Sequence, residues 1–231
     1  MSSIIAKNIP ENSVTATQAK SSSEAMRVTE TDYLASEPDS EVRREYIDGR
    51  IYAMAGASSN HNILSGNIFG EFRNHLKGSS CVTFMSDIKV PLKVSVGTNY
   101  VYPDVLVDCS KIDGKNYFSN APLIIVEVLS KSTRKCDLTT KLLRYINLPS
   151  LLEYVVIEQD IVQIQVFRKR TDWKDSFYFL GDSITFESIE LTLTVEEIYD
   201  RVENEDMNEF RQGIVVSEEP EVFETPDSVT M

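Results

Sequence analysis

The 231-residue chain has little of what most recognisable catalytic motifs require: two histidines, His61 and His75, and three cysteines, Cys81, Cys109 and Cys136. The cysteines are odd in number and widely spaced, with no C-x-x-C pair. This argues against a disulfide framework or a zinc site and toward a reducing cytosol. There is no G-x-S-x-G elbow and no P-loop. No apolar run approaches the roughly 20 residues of a membrane span, and the N-terminus lacks the sustained apolar region of a secretory signal. A cytoplasmic protein is therefore expected. Positive charge is scarce as well, with 23 Lys and Arg against 36 Asp and Glu and a formal net charge of -13. Spread evenly, that charge would repel polyphosphates, which excludes a simple nucleic-acid coat but not a nucleic-acid enzyme.

The acidity is unevenly placed. Nine acids and one base follow Val202, so eight of the thirteen net negative charges belong to residues 203–231. That segment reads as an acidic, disordered tail, and residues 1–25, rich in Ser, Thr and Asn, as a flexible leader. One domain is expected between them, over residues 26–202. Within it, Asp48 and Gly49 separate REYI from RIYAM as a hairpin turn would. Asn60 is placed to cap a helix in which Ile63, Leu64, Ile68, Phe72 and Leu76 line one face. The runs VTFMSDIKVPL, YVYPDVLVD and LIIVEVL read as strands, followed by a helix over about 137–147. EYVVIEQD, IVQIQVFRK and SFYFL read as further strands, ahead of a short helix near Val195. The order predicts an α/β fold, a mixed sheet flanked by helices.

Carboxylates are what remain for chemistry. Glu127 interrupts LIIVEVL, with Leu123, Ile125 and Leu129 on its face of the strand and Ile124, Val126 and Val128 on the other. An ionised carboxylate buried there costs several kcal/mol unless a cation or hydrogen bonds compensate. Asp104 is similarly embedded in YVYPDVLV, beside Pro103, which cannot donate to a ladder and marks an edge, a bulge or a strand start. Two such carboxylates brought together suit a hard divalent cation, Mg2+ or alternatively Mn2+. Such an ion polarises a phosphoryl oxygen and lowers the pKa of a bound water.

Strands carrying Pro103-Asp104, then a strand carrying Glu127, then a helix and another strand resemble the core of the PD-(D/E)XK restriction-endonuclease-like superfamily. The run PLIIVEVLSKSTRKCDLTTKLLRYINLPSLLEYVVIE more closely resembles the Uma-type endonucleases. REYIDGRIYAMAG, Ser-Ser-Asn-His at 58–61 and PDVLV match the same family in order, and together they cover roughly Thr29 to Val202. The resemblance implies a restriction-endonuclease-like fold with an N-terminal hairpin and additional C-terminal strands, and magnesium-dependent hydrolysis of DNA phosphodiester bonds. It makes Asp104 and Glu127 the metal-binding acids and the Val128 carbonyl a further ligand. Glu45 becomes an acid that joins the site directly or through water. Where the superfamily carries its lysine, two residues after Glu127, this chain has Leu129. The resemblance moves that lysine to the following helix, as Lys141, on a side shared with Asp137 and Tyr145.

Simpler roles stand beside these. Glu45 can pair across the hairpin with Arg50, Asp137 can cap its helix, His61 suits a first-turn position, and Tyr145 suits the core. Lys111, Lys115, Lys131, Arg134 and Lys135 are expected to form a basic cluster around the site. Leu129 and the net charge also leave open a catalytically inactive nuclease-fold protein that binds nucleic acid or serves as an assembly subunit. The EYVVIEQD and IVQIQVFRK hairpin then offers an edge for a homo-oligomer such as a dimer.

Overall fold

The computed structural model of the protein describes residues 27–54, 56–95, 97–111 and 113–213. The leader expected over residues 1–25 lies outside them. Asp48 and Gly49 turn strand β1 (Arg44–Ile47) into β2 (Arg50–Ala53) with φ of 52° and 79°, the left-handed pair that a two-residue hairpin needs. Ahead of it, α1 (Glu30–Ser36) is capped by the Thr29 side chain and packs Tyr33 against Tyr46 and Tyr100.

The run VTFMSDIKVPL, expected as one strand, is two: β3 (Val82–Met85) and β4 (Val90–Lys93). YVYPDVLVD likewise divides into β5 (Thr98–Val101) and β6 (Val105–Asp108). Then come β7 (Pro122–Leu129), β8 (Glu153–Glu158), β9 (Ile164–Arg168) and β10 (Asp175–Tyr178). They form a four-stranded sheet in the order β2-β1-β5-β4 and a six-stranded sheet in the order β10-β9-β8-β7-β6-β3. The chain therefore crosses from one sheet to the other at Tyr102-Pro103-Asp104, where proline has no N–H to lose from a ladder. β7 and β8 run parallel and the other pairs antiparallel, which makes the larger sheet mixed.

Helix α2 (Ser59–His75) covers one face of that sheet. Its cap is Ser58 rather than Asn60, whose side chain instead bonds the Glu203 backbone. Leu64, Ile68 and Phe72 pack there with Val126, Val128 and Val155. A hairpin of β11 (Ser183–Phe186) and β12 (Leu191–Thr194), then α5 (Val195–Ile198) and α6 (Glu205–Arg211), complete this core. Met207 is buried in it, so the folded part passes Val202 and takes in the start of the segment read as a tail.

The opposite face buries Ile125, Leu129, Tyr154 and Val156 beneath a helical segment and the four-stranded sheet. That segment is α3 (Arg134–Cys136), a π-helical turn (Asp137–Lys141) and α4 (Leu142–Tyr145). The alternation expected for β7 holds from Ile124 to Leu129. Leu123 departs from it: a register shift between Val107 and Asp108 turns its side chain to the α2 face.

Two expectations are corrected. Cys81 and Cys109 form a disulfide, because the antiparallel pairing that sets Val82 opposite Asp108 makes these two the next cross-strand pair. The reduced cysteines that supported a cytosolic setting are thus not what the fold brings about. The β8–β9 hairpin is also not a free edge, since β10 pairs with β9 and the edges are β10 and β3. Among the described residues no helix is long and apolar enough to cross a membrane.

Candidate active site

Glu127 projects from β7 toward the helical segment and is almost fully buried, at 3% exposure. Lys141 reaches down to meet it. The Lys141 Nζ lies 2.9 Å from Glu45 Oε1, 3.2 Å from Glu127 Oε1 and 3.1 Å from Asp137 Oδ1. The contact with Asp137 is an ion pair off the hydrogen-bonding direction, and that oxygen makes no hydrogen bond. Tyr145 donates its hydroxyl to Glu127 Oε1 at 2.8 Å. The π turn contributes to this gathering: Leu142 N–H donates to the Asp137 carbonyl five residues back. Such a widened turn costs regular hydrogen bonding and is frequent at functional sites. Asp137 is therefore inside the helical segment and not its cap.

Glu45 comes from the other sheet. It stands opposite Tyr52 in the hairpin, so the pairing with Arg50 does not form, and its Oε1 accepts the Tyr102 N–H at 3.1 Å. Burial raises the pKa of Glu127 well above 4.5; Lys141 opposes this, while Asp137, Asp104 and Glu45 add to it. Burial alone would lower Lys141, but Glu127 and Glu45 hold it charged and well above 10.5. Replacing Tyr145 with phenylalanine is expected to lower stability by about 1.5–3 kcal/mol, the usual worth of a hydrogen bond to a charged group, as measured by urea unfolding.

Asp104 approaches from the start of β6. Its Oδ2 accepts the Val128 N–H at 2.7 Å and lies 3.2 Å from His61 Nε2, so the first turn of α2 reaches the same strand ends from the opposite face. Burial pulls the His61 pKa down, but the hydrogen bond and charge of Asp104, helped by Val128, carry it above 6.5. A His raised in the folded state adds stability fully present below about 6.5, the unfolded value, and lost as pH rises past its folded midpoint. NMR titration should accordingly place the His61 midpoint above 6.5, and Asp104→Asn should bring it down.

Four carboxylates thus surround one lysine and one histidine, an excess of two negative charges when all six groups are ionised. The bonds to Asp104 fall on Oδ2 and those to Glu127 on Oε1, which leaves Asp104 Oδ1 and Glu127 Oε2 without protein donors among the described residues. No three His, Cys, Asp or Glu side chains among the described residues enclose a ready-made cage. This donor set fits a hard divalent ion held by a few protein oxygens and completed by water, as magnesium usually is.

The structure brings Glu45, Asp104, Glu127, Val128 and Lys141 to one region. His61, Asp137 and Tyr145, read from the sequence as helix-start, cap and core residues, join them. The spacing of Tyr145 from Lys141 carries a signal for the tyrosine, whereas His61 arrives from a different layer. The basic cluster divides: Lys131, Arg134 and Lys135 follow the Glu127 end of β7, with Arg134 paired to Glu158, while Lys111 and Lys115 sit in the β6–β7 connection at the opposite strand ends. Leu129 is buried in the core.

Comparison with known proteins gives a consistent result. Residues 31–196 match the family model Uma2, described as "Putative restriction endonuclease". Two proteins of Synechocystis sp., both called uncharacterized, are similar. One, slr1290, is 36% identical over 177 residues, 75% of this chain and 92% of its own length. The other, sll1609, is 31% identical over 148 residues, 63% of this chain and 82% of its own. In fold, the chain is similar to the crystal structure of a protein from Anabaena variabilis titled a putative nuclease belonging to DUF820. The TM-score is 0.62 at 18% identity, covering 73% of this chain and 96% of that one.

Proposed function

From the premise that the chain belongs to the Uma2 family, we propose that it is a divalent-metal-dependent endonuclease that hydrolyses DNA phosphodiester bonds at the Asp104–Glu127 end of the larger sheet. The observation that carries this reading is the buried excess of carboxylate, with unused oxygens on the acids of two neighbouring strands. Asp104, Glu127 and the Val128 carbonyl would hold the ion, with Glu45 joining directly or through water. When bound, magnesium or manganese supplies Lewis-acid polarisation of the phosphoryl oxygen and a water of lowered pKa.

The protein's own groups do the positioning. Lys141 and Tyr145 both engage Glu127 Oε1, which fixes the carboxylate plane and directs Oε2 away from them. The Val128 N–H and His61 hold Asp104 by Oδ2 in the same way. Lys141, tied to three carboxylates, keeps a positive charge beside the scissile position, the role of the superfamily lysine delivered from a helix in place of the strand. Lys131 and Lys135, at the open end of β7, are placed to meet the phosphate backbone.

The test is cleavage of plasmid, linear and structured DNA by the purified protein in magnesium or manganese. Activity is expected to vanish on chelation and in Asp104→Ala. Absence of cleavage on every substrate, with metal binding intact, would favour a nucleic-acid-binding or assembly role on the same fold.

A further inference from the structure

His61 is not needed where its backbone places it. The first turn of α2 is capped by the Ser58 side chain, which uses the His61 main-chain N–H and leaves the imidazole free. That ring spans from the α2 layer to the strand ends and stops at Asp104, one of the three groups assigned to the ion. His61 Nε2 lies 3.2 Å from Asp104 Oδ2, beside the carboxylate whose other oxygen, Oδ1, has no protein donor among the described residues. The side chain keeps 15% exposure and that of Asp104 10%, so both border the solvent from which an ion and its waters would enter.

We propose that His61 is a protein ligand of the divalent ion, beside Asp104 and the Val128 carbonyl, and that the site consequently prefers manganese to magnesium. The proposal rests on the metal-dependent reading above and adds a nitrogen to its oxygen ligand set. The preference follows from donor chemistry. Magnesium takes oxygen and dehydrates reluctantly, whereas imidazole suits first-row transition ions.

The chain offers a clean experiment because it has only two histidines. His75 sits at the other end of α2, where its Nε2 lies 2.7 Å from the Ile189 carbonyl oxygen. Fourteen helical steps separate it from His61 by about 21 Å. Manganese added to the untagged protein is examined by electron spin echo envelope modulation, which detects a directly coordinated imidazole nitrogen. The nitrogen modulation is expected in the wild type and in His75→Gln, and expected to be absent in His61→Gln and His61→Ala. Affinity for manganese should fall about tenfold or more in the His61 variants, with little change for magnesium, and circular dichroism checks that each variant is folded. Manganese bound at a site abolished by Asp104→Ala but showing no nitrogen modulation overturns the proposal and leaves the metal-dependent reading standing. No manganese bound in any form overturns both.

Discussion

Lys141→Met is expected to cost the folded protein about 3–5 kcal/mol at neutral pH, the usual penalty for removing one partner from a buried ionic cluster. The reason is the 4% exposure of Lys141 and the three carboxylates that converge on its ammonium. Methionine fills the space but leaves Glu45, Glu127 and Asp137 facing one another in the interior. The deficit should depend on pH with a defined sign. With the lysine gone, the burial and carboxylate repulsion that already raise Glu127 act unopposed. A carboxyl raised in the folded state favours folding below its unfolded value, about 4.3, and loses that contribution as pH rises through the folded value. Denaturant unfolding should therefore show wild type and variant converging toward pH 4 and separating above it. Adding Glu127→Gln to Lys141→Met should recover part of the loss. A variant as stable as the wild type at pH 7 would mean that the ammonium is solvated and the cluster is not closed around it.

Glu127→Gln alone should have opposite effects on activity and stability. The amide oxygen can still accept from Tyr145 and Lys141, so the local bonds persist while the buried negative charge is removed. The wild-type carboxyl, raised by burial, penalises the metal-free fold progressively as pH rises through its folded value; glutamine abolishes that slope. The melting temperature at neutral pH is expected to rise, by about 2–4 °C for each kcal/mol recovered in a chain of this size. DNA cleavage is expected to fall by about three orders of magnitude, some 4 kcal/mol of transition-state stabilisation. Paired melting and cleavage assays read both. Full activity in Glu127→Gln would remove this residue from the reaction, and a lower melting temperature would show that its charge is compensated in the native state.

Much of this arrangement is legible in the amino-acid order. Glu127 stands out because an acid has no reason to occupy LIIVEVL unless something pairs with it, and the alternation of that strand correctly sets Ile125 and Leu129 on its face. The Asp48-Gly49 turn is readable because few residue pairs adopt two consecutive left-handed conformations. The division of YVYPDVLVD between two sheets is only hinted at by Pro103, since each half is a sound strand by itself and local pattern does not say which neighbour a strand chooses. Asp137 and His61 look, from local context, like residues of a helix start. Their part in the site depends on packing between layers, and on a π turn that regular 3.6-residue spacing does not foresee.

The passage of the chain between its two sheets at Pro103 has a consequence for how the protein can vary. Tyr102, the residue before the proline, gives its N–H to Glu45, and Asp104, the residue after it, takes the N–H of Val128. Three consecutive residues thus measure the distance between the acid from one sheet and the acids of the other, by covalent length rather than by contact. Adding or deleting one residue there moves Glu45 and Asp104 out of step even if every side chain is retained. Length variation among relatives should accordingly fall elsewhere, for instance in the β6–β7 connection at the far strand ends, where a longer loop leaves the acids in register.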